Sequence, residues 1–200
     1  PWVAILWPSF FVRIDHVSGG FIGAKYFLLQ VSFLKAVCPE VAKVLLVRFP
    51  ELHFGWSEDK RLTEIYPSIK IYKGAESMCN QLRNSRLCIH DFLGTTWLET
   101  LSMNFPTVIF WDLKRSNMLK STQPYFDDLR RVRILHDTPE SAAKLVNEIY
   151  EDPISWWSSP DIQEVREKFC HQFARASDEW LSQWKEELLK IAGGQKSRNQ

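Results

Sequence analysis

Two short apolar runs in close succession constrain this chain more than any other feature. Arg86 to His90 (Arg-Leu-Cys-Ile-His) and Pro106 to Trp111 (Pro-Thr-Val-Ile-Phe-Trp) have the length and β-branched content of buried strands. The second starts at a proline, where a strand can begin. Between them Gly94-Thr95-Thr96 opens a segment whose apolar positions Trp97, Leu98, Leu101 and Met103 follow helical spacing. A strand, a glycine loop, a helix and a second strand joined by so short a crossover make a parallel pair. Ligands of parallel sheets sit beyond the carboxyl ends of the strands, where a helix N-terminus offers unpaired N–H groups and the positive end of its dipole. The loop from His90 to Thr96 falls at that place, and a phosphate is the anion expected there. Asp91-Phe92-Leu93 before the glycine makes the loop more acidic and larger than suits a diphosphate best, and Asp91 counts against an anion.

The rest of the chain supplies more units of the same kind. Trp2 to Ile14 reads as strand material, interrupted by Pro8, that delivers the loop Asp15-His16-Val17-Ser18-Gly19-Gly20. Phe21, Ala24, Phe27, Leu28, Val31, Leu34 and Val37 predict an amphipathic helix ended by Cys38-Pro39. A strand is expected over Val41 to Phe49, with Arg48 near its carboxyl end, then a loop from Pro50 to Trp56. Further expected elements are a helix capped by Ser57 and running to Ile65, a strand at Ile69 to Tyr72 and a helix over Ser77 to Asn84 with Met78, Cys79 and Leu82 inward. Beyond Trp111 come an irregular loop over 113–121, a helix from Gln123 to about Arg131, a strand over Val132 to Leu135, and a helix started by Thr138-Pro139-Glu140. Asp152-Pro153 breaks that helix. Trp156-Trp157 is read as an anchor for two helices, at about Pro160 to Ala176 and Ser177 to Ile191, before a frayed polar tail. The pattern is α/β, a doubly wound and mainly parallel sheet over 1–150, with a helical extension over 151–192 and a tail over 193–200.

Composition removes several function classes. Lys plus Arg number 25 against 24 Asp plus Glu, so no global basic field exists to capture nucleic acid, and phosphate recognition has to be local. Hydrophobic residues make up 45% of the chain, enough for a packed core. Cys38, Cys79, Cys88 and Cys170 lack CxxC spacing and fall mostly in apolar patterns, which reads as reduced, buried thiols without a zinc site. No apolar run reaches the about 18 to 20 residues that span a bilayer. The expected location is the cytoplasm, or a peripheral position at the inner membrane face. Gly-x-Gly-x-x-Gly, Walker, HExxH and Gly-x-Ser-x-Gly motifs are all missing, which argues against dinucleotide oxidoreductases, P-loop kinases, zincins and α/β-hydrolases. The chain starts at Pro1 in strand-like sequence, and a preceding segment is expected.

Thr95, Thr96 and Glu99 form the sharpest candidate group. Hydroxyls and loop N–H groups, with Gly94 allowing close approach, can hold a diphosphate, and a carboxylate one turn into the helix can accept from ribose hydroxyls. Thr96-Trp97-Leu98-Glu99 is equally a T-x-x-E capping box that needs both residues for helix initiation alone. Arg48 is a candidate phosphate partner with a structural ion pair as the alternative. Arg13 and His16 are weaker candidates on the first loop. His90 directly follows a strand and either touches ligand or is a buried, hydrogen-bonded histidine. Trp56 can stack on a nucleobase or simply pack. His136-Asp137 lie near the last strand's end, before a helix start.

The run Ser-Arg-Leu-Cys-Ile-His…Gly-Thr-Thr-Trp-Leu-Glu-Thr-Leu-Ser-Met-Asn-Phe-Pro-Thr-Val-Ile-Phe-Trp-Asp (85–112) resembles the C-terminal, donor-binding half of GT-B glycosyltransferases. More narrowly, with Leu46-Val47-Arg48, Gly55-Trp56, Gln123-Pro124-Tyr125-Phe126-Asp127, Ser155-Trp156-Trp157 and Phe169-Cys170, the chain is similar over about 25 to 175 to a family of transferases of bacterial surface-polysaccharide or O-antigen biosynthesis. The resemblance implies a Rossmann-like fold and a nucleotide-sugar donor, with its diphosphate at Thr95 and Thr96, its ribose at Glu99 and Arg48 on the phosphates. It also implies catalysis without a metal or other cofactor, and a saccharide or lipid-linked acceptor held by an N-terminal domain absent from this chain. A surface left open by that domain would favour a homodimer. The competing readings are a nucleotide-sugar 2-epimerase or polyol-phosphate transferase of the same fold, and a non-catalytic module that binds a partner through its aromatic surfaces.

Overall fold

The computed structural model describes residues 2–6, 19–48, 57–72, 77–91, 94–111 and 118–196. Its strands are β1 (Trp2–Leu6), β2 (Leu45–Arg48), β3 (Lys70–Tyr72), β4 (Ser85–His90), β5 (Thr107–Phe110) and β6 (Leu135–His136). They form one sheet in the order β3-β2-β1-β4-β5-β6, and every neighbouring pair is parallel. This is the doubly wound, Rossmann-like order, and the direction of winding reverses between β1 and β4. The α/β reading of the sequence therefore holds, including the parallel pairing of β4 and β5.

Residue alternation along the strands sends side chains into two cores. Leu45 and Val47 of β2, Leu87 and Ile89 of β4, and Val108 and Phe110 of β5 join one cluster with α1 (Gly19–Ala36), α2 (Pro39–Val44), α3 (Glu58–Ile65) and α7 (Pro139–Ile149). Phe33 of α1 and Phe110 are both completely buried and stack with ring centroids 5.2 Å apart. On the other face Ile109, Trp111 and Leu135 meet α5 (Thr96–Ser102), α6 (Gln123–Arg131), α8 (Pro153–Trp157) and α9 (Pro160–Phe173). A satellite cluster joins Leu82 of α4 (Met78–Arg83) to Cys88 of β4. Trp157 is buried in the second core and its indole N–H donates to the Asn104 side-chain oxygen at 2.8 Å, so the Trp156-Trp157 element is a packing anchor.

Several local expectations are corrected. Val41 to Val44 are helical rather than strand, because Pro39 at the first turn and Glu40 behind it start a new helix before the apolar run begins. The last strand covers only Leu135 and His136; Val132 is the C-cap of α6, and Arg133 takes a left-handed φ of 64° that turns the chain into the sheet. Ser57 precedes α3 in a left-handed conformation and makes no side-chain cap bond. Cys79 and Met103 are exposed, the latter because α5 stops at Ser102. The final helix, α10 (Trp180–Lys196), extends four residues into the stretch expected to be a frayed tail, whose last four residues lie outside the described ones. Among the described residues no helix is long and apolar enough to cross a membrane.

Asn147 ties two helices together. Its Oδ1 accepts from the Cys38 N–H at 2.9 Å and its Nδ2 donates to the Ala36 carbonyl at 3.0 Å, so one α7 side chain satisfies both the end of α1 and the start of α2. Asn147→Ala leaves both backbone groups without that partner and is expected to destabilise by about 2 kcal/mol. Glu148→Ala, which loses only the exposed pair with Arg133, is expected to change stability by less than about 1 kcal/mol. Urea denaturation of the two variants checks the contrast.

Candidate functional site

The register of the sheet aligns the carboxyl ends of its central strands. Leu6 of β1 lies beside Arg48 of β2 on one side and His90 of β4 on the other. Arg48 is paired in turn with Tyr72, and His90 with Ile109. The crevice that opens where β1 and β4 part is the ligand position of doubly wound sheets. Asp91 directly follows β4 at this end of the sheet, and Gly94 and Thr95 lead into α5. Arg13 and His16, on the segment that follows β1, and Trp56 lie outside the described residues.

His90 is buried, with 1% of its surface exposed, and its Nε2 is 3.0 Å from Thr100 Oγ1. The Thr100 hydroxyl donates to the Trp97 carbonyl at 3.0 Å, so the ring nitrogen is the donor in the His90 bond and the Nε2–H tautomer is fixed. Burial pushes the His90 pKa down to about 3, which leaves the ring neutral. His90 thus secures β4 to α5, as the buried, hydrogen-bonded histidine that was one of its two readings.

Asp91 follows at the strand's end and is also buried. Its Oδ2 accepts from Gln30 Nε2 of α1 at 2.5 Å, while its Oδ1 and the Gln30 Oε1 have no hydrogen-bond partner. Loss of hydration pushes the carboxyl up to about 7, against smaller opposing effects of a backbone bond and of Gln30. The acid that counted against an anion in the sequence is therefore turned inward and only partly ionised near neutral pH. Gln30 escaped sequence reasoning, because an amide on the buried face of a helix carries no motif; its one signal was a polar residue at a core-facing position.

Beyond Asp91 the polar groups turn outward. Gly94 and Thr96 are half-buried, and Thr95 and Glu99 are exposed. Thr95, not Thr96, is the N-cap of α5, with a helical φ of −83° and no side-chain cap bond. Glu99 then falls one residue beyond the position that a capping box requires. The reciprocal bonds of the box are not formed, and the Thr95 and Glu99 side chains are left exposed, with Thr96 half-buried between them. The helix that carries them is firmly seated: Trp97 and Leu101 are buried, and Arg166 of α9 donates to the Leu101 carbonyl at 3.3 Å.

Arg48, two strands from β4, donates from Nη1 to Gln81 Oε1 at 2.7 Å and lies over the Tyr72 ring at 5.6 Å. It is engaged by α4 and β3, so the structure places it in the same row as the crevice but not with Thr95 and Glu99. Among the described residues no three His, Cys, Asp or Glu side chains gather as a metal site.

No curated protein matches the chain. Comparison with protein-family models matches residues 2–188 to the family described as LIC12162 family transferase. The match spans nearly the whole chain, both sheet halves and most of the C-terminal helices included. A parallel sheet with its polar loop at the winding reversal is thus the framework of a transferase, and the chain belongs to the LIC12162 family.

Proposed function

We propose that this chain is the donor-binding unit of a nucleotide-sugar-dependent glycosyltransferase of surface-polysaccharide biosynthesis. The observation that carries the reading lies between the end of β4 and the start of α5: at the reversal of the sheet Thr95 and Glu99 are exposed and Gly94 and Thr96 half-buried, while Asp91 is buried and held by Gln30. Loop N–H groups and the two hydroxyls bind the diphosphate, and Glu99 accepts from the ribose hydroxyls. Burial raises the Asp91 pKa, which lessens the repulsion that a fully ionised carboxylate would exert on the phosphates.

In glycosyl transfer the bond from the anomeric carbon to the diphosphate breaks, and negative charge grows on the leaving oxygen. Fixed N–H and O–H donors aimed at that oxygen stabilise the charge without reorganising. No metal is needed in this scheme. Arg48 is already engaged by Gln81 and the Tyr72 ring, and it lies two strands from β4, which assigns it a secondary part. The acceptor, a saccharide or lipid-linked saccharide, is held by another domain of the full protein. This scheme uses no nucleic acid and no further cofactor.

Calorimetric titration with UDP, GDP and CDP, with and without magnesium, tests the proposal. One nucleotide is expected to bind in the absence of Mg²⁺, and Glu99→Ala is expected to weaken it by about ten- to a hundredfold, the range of a hydrogen bond to a charged group. Because Glu99 is exposed, the melting temperature of that variant should stay within the range of an ordinary surface change. Equal affinity in Glu99→Ala sinks the ribose role, and no binding of any nucleotide by the folded chain sinks the donor site.

A further inference from the structure

We propose that Ser141 is a nucleophile activated by His136, a Ser–His dyad at the carboxyl end of β6 that takes an acyl group from small, uncharged activated esters. The site is independent of the glycosyl-transfer reading. β6 is two strands from β4, about 10 Å across the sheet.

The geometry sets each proton. His136 Nε2 is 2.9 Å from the Arg133 carbonyl, an acceptor only, so Nε2 carries the hydrogen and donates. The lone pair is then on Nδ1, which is 2.8 Å from Ser141 Oγ, and the serine hydroxyl is the donor of that bond. Nucleophile, base and an oriented partner behind the base are thus in line, the arrangement that activates a hydroxyl. The backbone holds it in place. Arg133 takes a φ of 64° that presents its carbonyl to the ring, and the Ser141 N–H donates to the Thr138 hydroxyl at 3.1 Å, which fixes the first turn of α7.

The two partners differ in exposure in the way such a dyad requires. His136 is 4% exposed and Ser141 is open to solvent. Burial pushes the His136 pKa down to about 4, so the ring is neutral at physiological pH with its Nδ1 lone pair available to the serine proton, as a weaker base than an ordinary histidine. The exposed carboxylates of Asp137 and Glu140 flank the serine in sequence, which favours an uncharged ester over an anionic one.

In the reaction Ser141 Oγ forms a bond to the ester carbonyl carbon while its proton passes to His136 Nδ1. The bond from that carbon to the leaving oxygen breaks, and the leaving group takes the proton back from Nδ1. Ser141 ends as an ester and His136 returns to its neutral form. The negative charge of Asp137 and Glu148 favours the imidazolium that forms in between, and Arg133 opposes it.

The probes are a fluorophosphonate and p-nitrophenyl acetate, applied to the full chain and followed by intact mass and peptide mapping. Ser141 is expected to be modified about a hundredfold faster than Ser158, which is exposed but has no histidine beside it. Ser141→Ala should remove that modification, and His136→Gln should slow it to the Ser158 rate. Because His136 is buried and its variant can lose stability, Ser141→Cys in the otherwise unchanged chain gives an independent reading: iodoacetamide is expected to alkylate the new thiol at least about tenfold faster than the exposed Cys79. Equal rates at Ser141 and Ser158, or equal alkylation of the two thiols, overturn the proposal.

Discussion

Trp97→Ala is expected to destabilise the protein by about 4 kcal/mol, the range measured for truncating a buried aromatic side chain. Trp97 is 4% exposed and its ring lies 5.3 Å from Phe169, 6.2 Å from Phe126 and 6.3 Å from Trp111. It therefore joins α5, α6, α9 and the end of β5 at one point. Removing it leaves a cavity bordered by rings on three elements that cannot all move inward together. Against a total stability of about 5 to 15 kcal/mol, such a loss is a large fraction. Urea unfolding followed by circular dichroism measures it, with Trp184→Ala as the comparison. Trp184 is 63% exposed on α10, and its replacement should change stability by no more than about 0.5 kcal/mol. Equal losses in the two variants would overturn the packing described for α5. The same substitution loosens the helix that carries Thr96 and Glu99, so nucleotide affinity should fall together with stability in Trp97→Ala, whereas Glu99→Ala should lower affinity alone.

Asp91→Asn is expected to make the protein more stable at pH 8 while leaving it nearly unchanged at pH 4. The folded-state pKa of Asp91 is raised by burial to about 7 from an ordinary value of 3.8. Between these limits the folded chain holds a proton that the unfolded chain has released. The contribution of Asp91 is therefore fully present below about pH 4 and is lost as pH rises through about 7, by at most about 4 kcal/mol. Asparagine cannot ionise, and its side-chain oxygen still accepts from Gln30.

His90 and His136 act in the opposite direction. Their folded values are pushed down to about 3 and about 4, so their contribution is present above the ordinary histidine value of 6.5 and is lost as pH falls. Subtracting the parent's stability from that of Asp91→Asn at each pH cancels both histidines. A difference that grows from pH 4 to pH 7 and then levels is the expected result. A difference independent of pH would mean that Asp91 is ionised in the folded chain.

The element order was legible because its signals are local. Short apolar runs with β-branched content marked β4 and β5, helical periodicity marked α1, and Thr138-Pro139-Glu140 marked the start of α7, where the Thr138 hydroxyl does accept from the Ser141 N–H. The segment from Val41 to Phe49 misled for the same reason: an apolar run does not say where helix gives way to strand, and the paired strand begins only at Leu45, opposite Val3 of β1. The loop at the end of β4 was also legible, since a glycine and hydroxyl residues between a strand and a helix have few other positions to take in a parallel sheet.

What each polar side chain does in that loop depended on neighbours distant in sequence. Whether His90 meets a ligand or packs is decided by Thr100, 10 positions on, whose hydroxyl takes its ring N–H in the core. Asp91 read as a repelling charge, and only Gln30, 61 positions away in the chain, together with the loss of water around both, makes it a buried acid. The His136–Ser141 dyad depends on a bond between the last strand and the first turn of α7. The sequence by itself determined a parallel, doubly wound sheet and the place of its polar loop, because periodicity and turn chemistry are properties of adjacent residues. Only the tertiary structure decided which groups in the loop are charged, which are free to reach a ligand and which are committed to the core, because desolvation and hydrogen bonding across the sheet set those states.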